Sequence, residues 1–212
     1  MPVLMTFGDS NTHGSPPMTD RVSYHRFGPD VRWPRRALAA LGPEWELVEQ
    51  GLPGRTAQFD DPCMDGLMSG HPALRQALQS HGPLDVLTIM LGTNDVKTRF
   101  GASPETVMGG IAGLLDLALG VEMQTRHGGF RVLLICPPPV LETGVLAPDF
   151  WGARAKSLAL PPLYRALATS RGATFLDAGE VIAVSSVDGV HFEAETHAVL
   201  GAAVAERVAA LM

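Results

Sequence analysis

The stretch PVLMTFGDSN, residues 2–11, decides how the chain is read. Six apolar or β-compatible residues have the length of a buried strand, and they end abruptly on Gly8-Asp9-Ser10-Asn11. A strand of that kind implies a sheet covered on both faces. A small hydroxyl between an aspartate and an asparagine at its end is either a turn and helix-cap residue or a nucleophile held at a sheet edge. The stretch alone leaves both readings open.

Four further segments repeat the pattern: WELVEQ (45–50), DVLTIML (85–91), RVLLICP (131–137) and ATFLDA (173–178). Helical patterns separate them at 32–42, 72–82, 103–120 and 153–172, and a last one spans 193–212. Several stop at glycine, and Ser103-Pro104-Glu105 has the form of an N-cap followed by proline at the first helical position. Alternating strands and helices with near-continuous apolar strands predict an α/β fold: three layers, α/β/α, around a five-stranded parallel sheet of flavodoxin-like type. With 212 residues and no linker or repeat, one domain over 1–212 is expected. Ligand sites in such sheets lie beyond the carboxyl ends of the strands, where strand order reverses. The residues to inspect are therefore Gly8 to Asn11, Gly51 to Thr56, Gly92 to Asp95, Pro137 to Pro139 and Asp188 to His191.

Composition narrows the partners. The net charge of −6, with dispersed Lys and Arg, argues against nucleic acid. No run of 18 apolar residues crosses a bilayer, and the first residues lack the charged and apolar regions of a secretion signal, so a cytoplasmic protein without a membrane partner is expected. Two cysteines are too few for a disulfide framework; Cys136 reads as a core thiol. The acidic stretch DDPCMDG (60–66) and Glu193/Glu195 read as solvated rather than as a metal site, and neither metal nor cofactor is expected. Met5, Met64, Met68 and Met90 read as core filling. His197 reads as a helix-surface residue.

A serine needs a base to take its proton and an acid to orient that base. Asp188 and His191, three residues apart in VDGVHFEAE, offer such a pair, though Asp188-Gly189 also reads as a plain turn and His191 as an exposed helix start. The developing oxyanion needs fixed donors, and Asn94 with the backbone N–H groups of Ser10 and Gly54 can supply them. GTND and GLPGRT read equally as an Asx turn and a flexible loop. His13 lacks an acidic partner nearby and reads as pocket wall rather than base. Asp9 and Asp95 read as turn anchors.

Taken together, Gly8-Asp9-Ser10, Gly54, Gly92-Thr93-Asn94-Asp95 and Asp188-Gly189-Val190-His191 resemble the four blocks of the SGNH (GDSL-type) hydrolases, in order and spacing over essentially the whole chain. RFGPDVRWP, EQGLPGRTAQFDDP and IMLGTNDVK resemble the bacterial arylesterase and acyltransferase branch. The resemblance implies a serine esterase with Ser10 as nucleophile, His191 as base and then acid, and Asp188 as its partner. Ser10, Gly54 and Asn94 would form the oxyanion hole. It implies short acyl esters of aryl or small alcohols as substrates, with acyl transfer to an alcohol or to peroxide as a further activity. A carbohydrate deacetylase is the alternative, and a non-catalytic flavodoxin-like binding module a remote one. GDSNT departs from the Gly-x-Ser-x-Gly elbow of α/β-hydrolases, and Gln50-Gly51 departs from the Asn-x-Gly common in the second block. Asp9, Asn11, His13, Phe150 and Trp151 are the expected pocket residues. The long stretch 137–157 is expected to wall the acyl pocket and to pack against a neighbouring copy in a homo-oligomer.

Overall fold

A computed structural model describes all 212 residues. Five strands form one sheet: β1 (Val3–Gly8), β2 (Glu46–Gly51), β3 (Val86–Met90), β4 (Arg131–Cys136) and β5 (Thr174–Asp177). All neighbours are parallel, in the order β2-β1-β3-β4-β5. The chain leaves β1 toward one edge, returns over it, and continues to the other side from β3. The switch point therefore lies at the carboxyl ends of β1 and β3, where a crevice opens because the connections diverge.

Side chains alternate between two cores, as a period of two requires. Leu4, Val86 and Leu133 face one cluster with Trp33, Phe192 and Val204; Met5, Leu87 and Leu134 face a larger one with Leu78, Ile111 and Tyr164. Helices α2 (Trp33–Leu41) and α8 (Ala194–Ala209) cover the first face, and α3 (Gly70–Ser80), α4 (Pro104–Leu119) and α7 (Leu160–Arg171) the second. Cys136 is fully buried in the larger core. No single helix is long and apolar enough to cross a membrane.

Four local features depart from the sequence reading. The helix expected over 153–172 is two, α6 (Ala153–Leu158) and α7, divided at Ala159. Pro161 and Pro162 explain the break: each lacks an N–H and would press on the carbonyl four residues before, so they fit only in a new first turn. A separate α5 (Val121–His127) follows Gly120 and ends at left-handed Gly128. Ser10–His13 forms a one-turn helix, α1, closed by left-handed Gly14. Finally, His197 is fully buried rather than exposed: its Nδ1 accepts the Trp33 N–H at 3.3 Å, and the Phe27 and Phe192 rings meet it edge-on. Its place on α8 faces α2 across the smaller core, which the 3.6-residue pattern alone does not distinguish from the helix margin.

Candidate active site

Ser10 opens α1 directly after β1. Asp9 caps that helix, its Oδ1 accepting the Asn11 N–H at 3.0 Å, so the turn that ends the strand fixes the orientation of the next residue. Ser10 itself is nearly buried, with its hydroxyl on the wall of a cavity of about 490 Å³.

The Asp188–His191 turn comes from the other end of the chain. Asp188 Oδ1 accepts the N–H groups of Val190 and His191, each at 2.9 Å, which bends the backbone around the carboxylate. Gly189 lies at φ 76°, a left-handed position where a side chain would also run into the Leu141 carbonyl. Asp188 Oδ2 accepts His191 Nδ1–H at 2.6 Å and the Met18 N–H at 2.7 Å. His191 Nε2 then stands 3.0 Å from Ser10 Oγ. Burial favours the neutral acid, but the hydrogen bonds from His191 and the backbone outweigh it and hold the Asp188 carboxyl below the usual range. A carboxylate, an imidazole with Nδ1 protonated and a serine hydroxyl are thus linked in line.

Around Ser10 three loop ends converge. Asn94 Nδ2 donates to the Arg55 carbonyl at 3.1 Å, and its contact to Asp9 Oδ2, at 3.5 Å, is at the limit of a hydrogen bond. Asp95 accepts the Ala57 N–H at 2.9 Å, tying the third block to the second. The Arg55 guanidinium lies over the Phe7 ring and donates to the carbonyls of Gly8 and Gln50, locking the β1 and β2 ends together. Gly54, at φ 87°, leaves the place of a Cβ to the Met64 thioether. Ser10, Gly54, Asn94 and His191 all border the cavity. Gly51 ends β2 against the backbone of His13 and is a close-packing position.

Of the five expected pocket residues only Phe150 lines the cavity. Asp9 lies behind Ser10 as the helix cap. Asn11 is buried, its Nδ2 donating to the Val190 carbonyl at 3.0 Å, and so braces the His191 turn. His13 is not on the cavity wall, but its Nε2 lies 2.7 Å from the hydroxyl of Tyr24, which is. Trp151 points outward, although its carbonyl is held by Thr98 Oγ1 at 2.8 Å. Leu146 and Asp149 bring the 137–157 segment to the cavity wall beside Phe150.

Two groups were misplaced by sequence reasoning. Asp61, expected in solvent, is fully buried because Arg99 and Lys97 reach it, at 3.0 and 3.4 Å. Met64, expected in the core, lies on the cavity wall. One wall was missed altogether: residues 15–25 cross the mouth of the cavity, anchored by Met18 on Asp188 and by Arg21 on the Val145 carbonyl. Its signal was a stretch between α1 and α2 without periodic pattern, longer than connections usually are.

Comparison with known proteins fits this geometry. The carbohydrate acetylesterase Est24 from Sinorhizobium meliloti is 35% identical, with all of both chains covered and a TM-score of 0.94. The native aryl esterase of M. smegmatis is 37% identical, again over all of both chains, with a TM-score of 0.94. A putative arylesterase from Agrobacterium tumefaciens is 35% identical over the same extent, with a TM-score of 0.91. Comparison with curated proteins gives no match. The model of the GDSL-like lipase/acylhydrolase family matches residues 6–199, and the chain belongs to that family as an esterase of SGNH type.

Proposed function

We propose that the protein is a serine esterase that cleaves short-chain acyl esters of aryl or small alcohols through an acyl-enzyme. The observation that carries this reading is the line Ser10 Oγ–His191 Nε2–His191 Nδ1–Asp188 Oδ2, with separations of 3.0 and 2.6 Å. Ser10 Oγ attacks the ester carbonyl while neutral His191 takes its proton at Nε2. Asp188 holds the proton on Nδ1, so Nε2 is the acceptor, and it stabilises the imidazolium that forms. The oxyanion of the tetrahedral intermediate is received by the N–H groups of Ser10 and Gly54 and by the Asn94 amide. His191 returns the proton to the departing alkoxide, and the acyl group remains on Ser10. Water, deprotonated by the same imidazole, then releases the acid. An alcohol or peroxide entering in place of water makes the same enzyme an acyltransferase or perhydrolase.

Aryl and sugar alcohols are both consistent with the mechanism, and the relatives divide between aryl esterase and carbohydrate acetylesterase. Deacetylation of a sugar ester is accordingly the second reading. Initial rates on 4-nitrophenyl esters of increasing chain length, phenyl acetate and peracetylated sugars separate the two. Ser10→Ala is expected to abolish turnover, and a fluorophosphonate to label wild-type Ser10 alone. A variant with near wild-type rate refutes the assignment.

Assembly into a homo-oligomer belongs to the same proposal. Val22 and Tyr24 on the 15–25 wall and Trp151, next to the cavity-lining Phe150 on the 137–157 segment, leave large apolar side chains 93%, 71% and 72% exposed. A monomer by light scattering at micromolar concentration refutes the assembly.

A further inference from the structure

The cavity contains a buried cation for which acyl transfer has no use. Lys97 lies three residues after Asn94, donates its backbone N–H to the Asn94 carbonyl at 3.2 Å, and is only 6% exposed. It lines the same cavity as Ser10 and His191. An ammonium has three N–H donors. Those of Lys97 find only Asp61 Oδ2, at a long 3.4 Å, and the Met64 thioether at 3.9 Å. Asp61 is meanwhile occupied by better donors: both its oxygens accept from Arg99 Nη1 at 3.0 Å, and Oδ1 also accepts the Cys63 N–H at 3.0 Å.

Lys97 is the inner end of a row of ion pairs. The row runs Lys97, Asp61, Arg99, Asp149, Arg21, which is three cations and two anions and so carries one excess positive charge. Its outer end is screened, because the Arg21 side chain is half exposed and donates twice to the Val145 carbonyl. At the inner end Lys97 has no ion-pair partner besides Asp61, although its charge also reaches Asp9 behind Ser10. Asp20, the remaining carboxylate on the cavity wall, is turned toward the Val22 and Ser23 N–H groups and the Ser23 hydroxyl. Burial, with the neighbouring Arg99 charge adding to it, draws the Lys97 ammonium below the usual lysine range against the opposing pull of Asp61 and Asp149.

We infer that Lys97 is an anion-recognition residue, and that the substrate is an ester carrying a carboxylate in its acyl or alcohol part, which the ammonium binds while Ser10 attacks the carbonyl. A charge-assisted hydrogen bond of that kind replaces the two weak contacts Lys97 now makes. The inference rests on the esterase reading above and adds the chemical class of the substrate.

The test compares kcat/KM for two matched ester pairs. With the charge on the alcohol side these are 4-acetoxybenzoate and its methyl ester; with the charge on the acyl side, mono(4-nitrophenyl) glutarate and its methyl ester, spontaneous hydrolysis subtracted. Each is measured on the wild type, Lys97→Met and Lys97→Arg. In one pair, the ratio of acid to methyl ester is expected to fall at least tenfold in Lys97→Met and to be largely retained in Lys97→Arg; which pair responds identifies the charged side. A fall of less than tenfold in both pairs overturns the inference, as does an equal loss on acid and methyl ester, which marks a structural role. Should Lys97→Met not fold, inhibition of wild-type 4-nitrophenyl acetate hydrolysis decides: benzoate is expected to inhibit at least fivefold more strongly than benzamide at low salt, and a smaller difference overturns the inference. A wild type inactive on 4-nitrophenyl acetate refutes the esterase reading itself, whereas an active one with unchanged ratios refutes only the role of Lys97.

Discussion

Replacing Asp188 by asparagine tests the site at its most constrained point. The carboxylate accepts four hydrogen bonds: two at Oδ1, from the Val190 and His191 N–H groups, and two at Oδ2, from Met18 N–H and His191 Nδ1. An amide has one oxygen and one NH2, so either orientation turns donors against two donors. Keeping the turn at Oδ1 places the NH2 against Met18 N–H and His191 Nδ1. The imidazole then accepts at Nδ1, its proton moves to Nε2, and Nε2 no longer accepts from Ser10. A wrong tautomer of this kind lowers kcat by roughly 10⁴ in a serine protease, and a loss of 10³ to 10⁴ is expected here. The Met18 N–H left without an acceptor costs a further ~1–3 kcal/mol of stability, a fall of several degrees in Tm for a chain of this length. The assay is 4-nitrophenyl acetate hydrolysis, with fluorophosphonate labelling as a second reading of Ser10 reactivity and thermal melting as the third. A kcat within tenfold of wild type, with labelling at the wild-type rate, refutes the assignment of Asp188 as the group that fixes the tautomer.

Two further substitutions test the oxyanion donors. Asn94→Ala removes a side-chain donor and is expected to lower kcat by about 10²–10³ with a smaller change in KM, read from steady-state kinetics on the same ester. Gly54→Ala places a methyl group at a left-handed position and against the Met64 thioether. Strain of roughly 1–2 kcal/mol is expected to shift the Gly54 N–H and lower kcat/KM at least tenfold, and Gly54→Ala combined with Met64→Ala is expected to recover only the part due to the clash.

The fold was legible because its signals are local and periodic. Strands buried on both faces are near-continuous apolar runs, and the strand bounds fall within a residue or two of the sequence reading, as with 131–137 against Arg131–Cys136. The Ser10, Asn94 and Asp188–His191 blocks were legible for a different reason: each sits immediately after a strand or before a helix, so its place at the carboxyl edge follows from topology. What was illegible depends on contacts between distant segments. Asp61 is buried by Arg99, 38 residues away, and nothing in DDPCMDG announces that partner. The cavity wall was misjudged likewise, because Asn11 and His13 lie next to Ser10 in sequence but belong to a helical turn whose neighbouring side chains radiate in different directions. Trp151 and Phe150 divide in the same way, one outward and one inward.

Stability against pH separates the buried groups that hold this site. His197 is kept neutral by burial, with His191 and Arg32 adding to the effect, and its pKa falls from 6.5 to about 4. The unfolded chain therefore binds the extra proton between about pH 4 and 6.5, so this residue makes stability decline as pH falls through that window. Burial acts in the opposite sense on the two carboxylates behind Ser10: despite the N–H groups of Asn11 and Ala57, it raises Asp9 to about 6 and Asp95 to about 7, from 3.8. For these the folded state holds the extra proton, so stability declines as pH rises from about 4 toward 7. At one pKa unit per 1.36 kcal/mol, the His197 contribution is about 3 kcal/mol and the Asp95 contribution on the order of 4 kcal/mol. His197→Asn and Asp95→Asn are thus expected to change in opposite directions relative to wild type. The deficit of His197→Asn narrows from pH 7 to pH 4, and that of Asp95→Asn, whose amide oxygen still accepts the Ala57 N–H, narrows from pH 4 to pH 7. Urea unfolding at half-unit intervals measures both, and a pH-independent difference for either variant refutes the assignment of that group. The sign for Asp95 has a functional meaning, because burial keeps the carboxyl that ties Asn94's loop to Gly54's loop partly protonated near neutral pH, and the carbonyl oxygen of that carboxyl is what the Ala57 N–H needs. The tie itself is the Ala57 N–H held by Asp95, next in the loop to the Arg55 clamp on the β1 and β2 ends, so loosening that loop is expected to cost oxyanion geometry before it costs the fold.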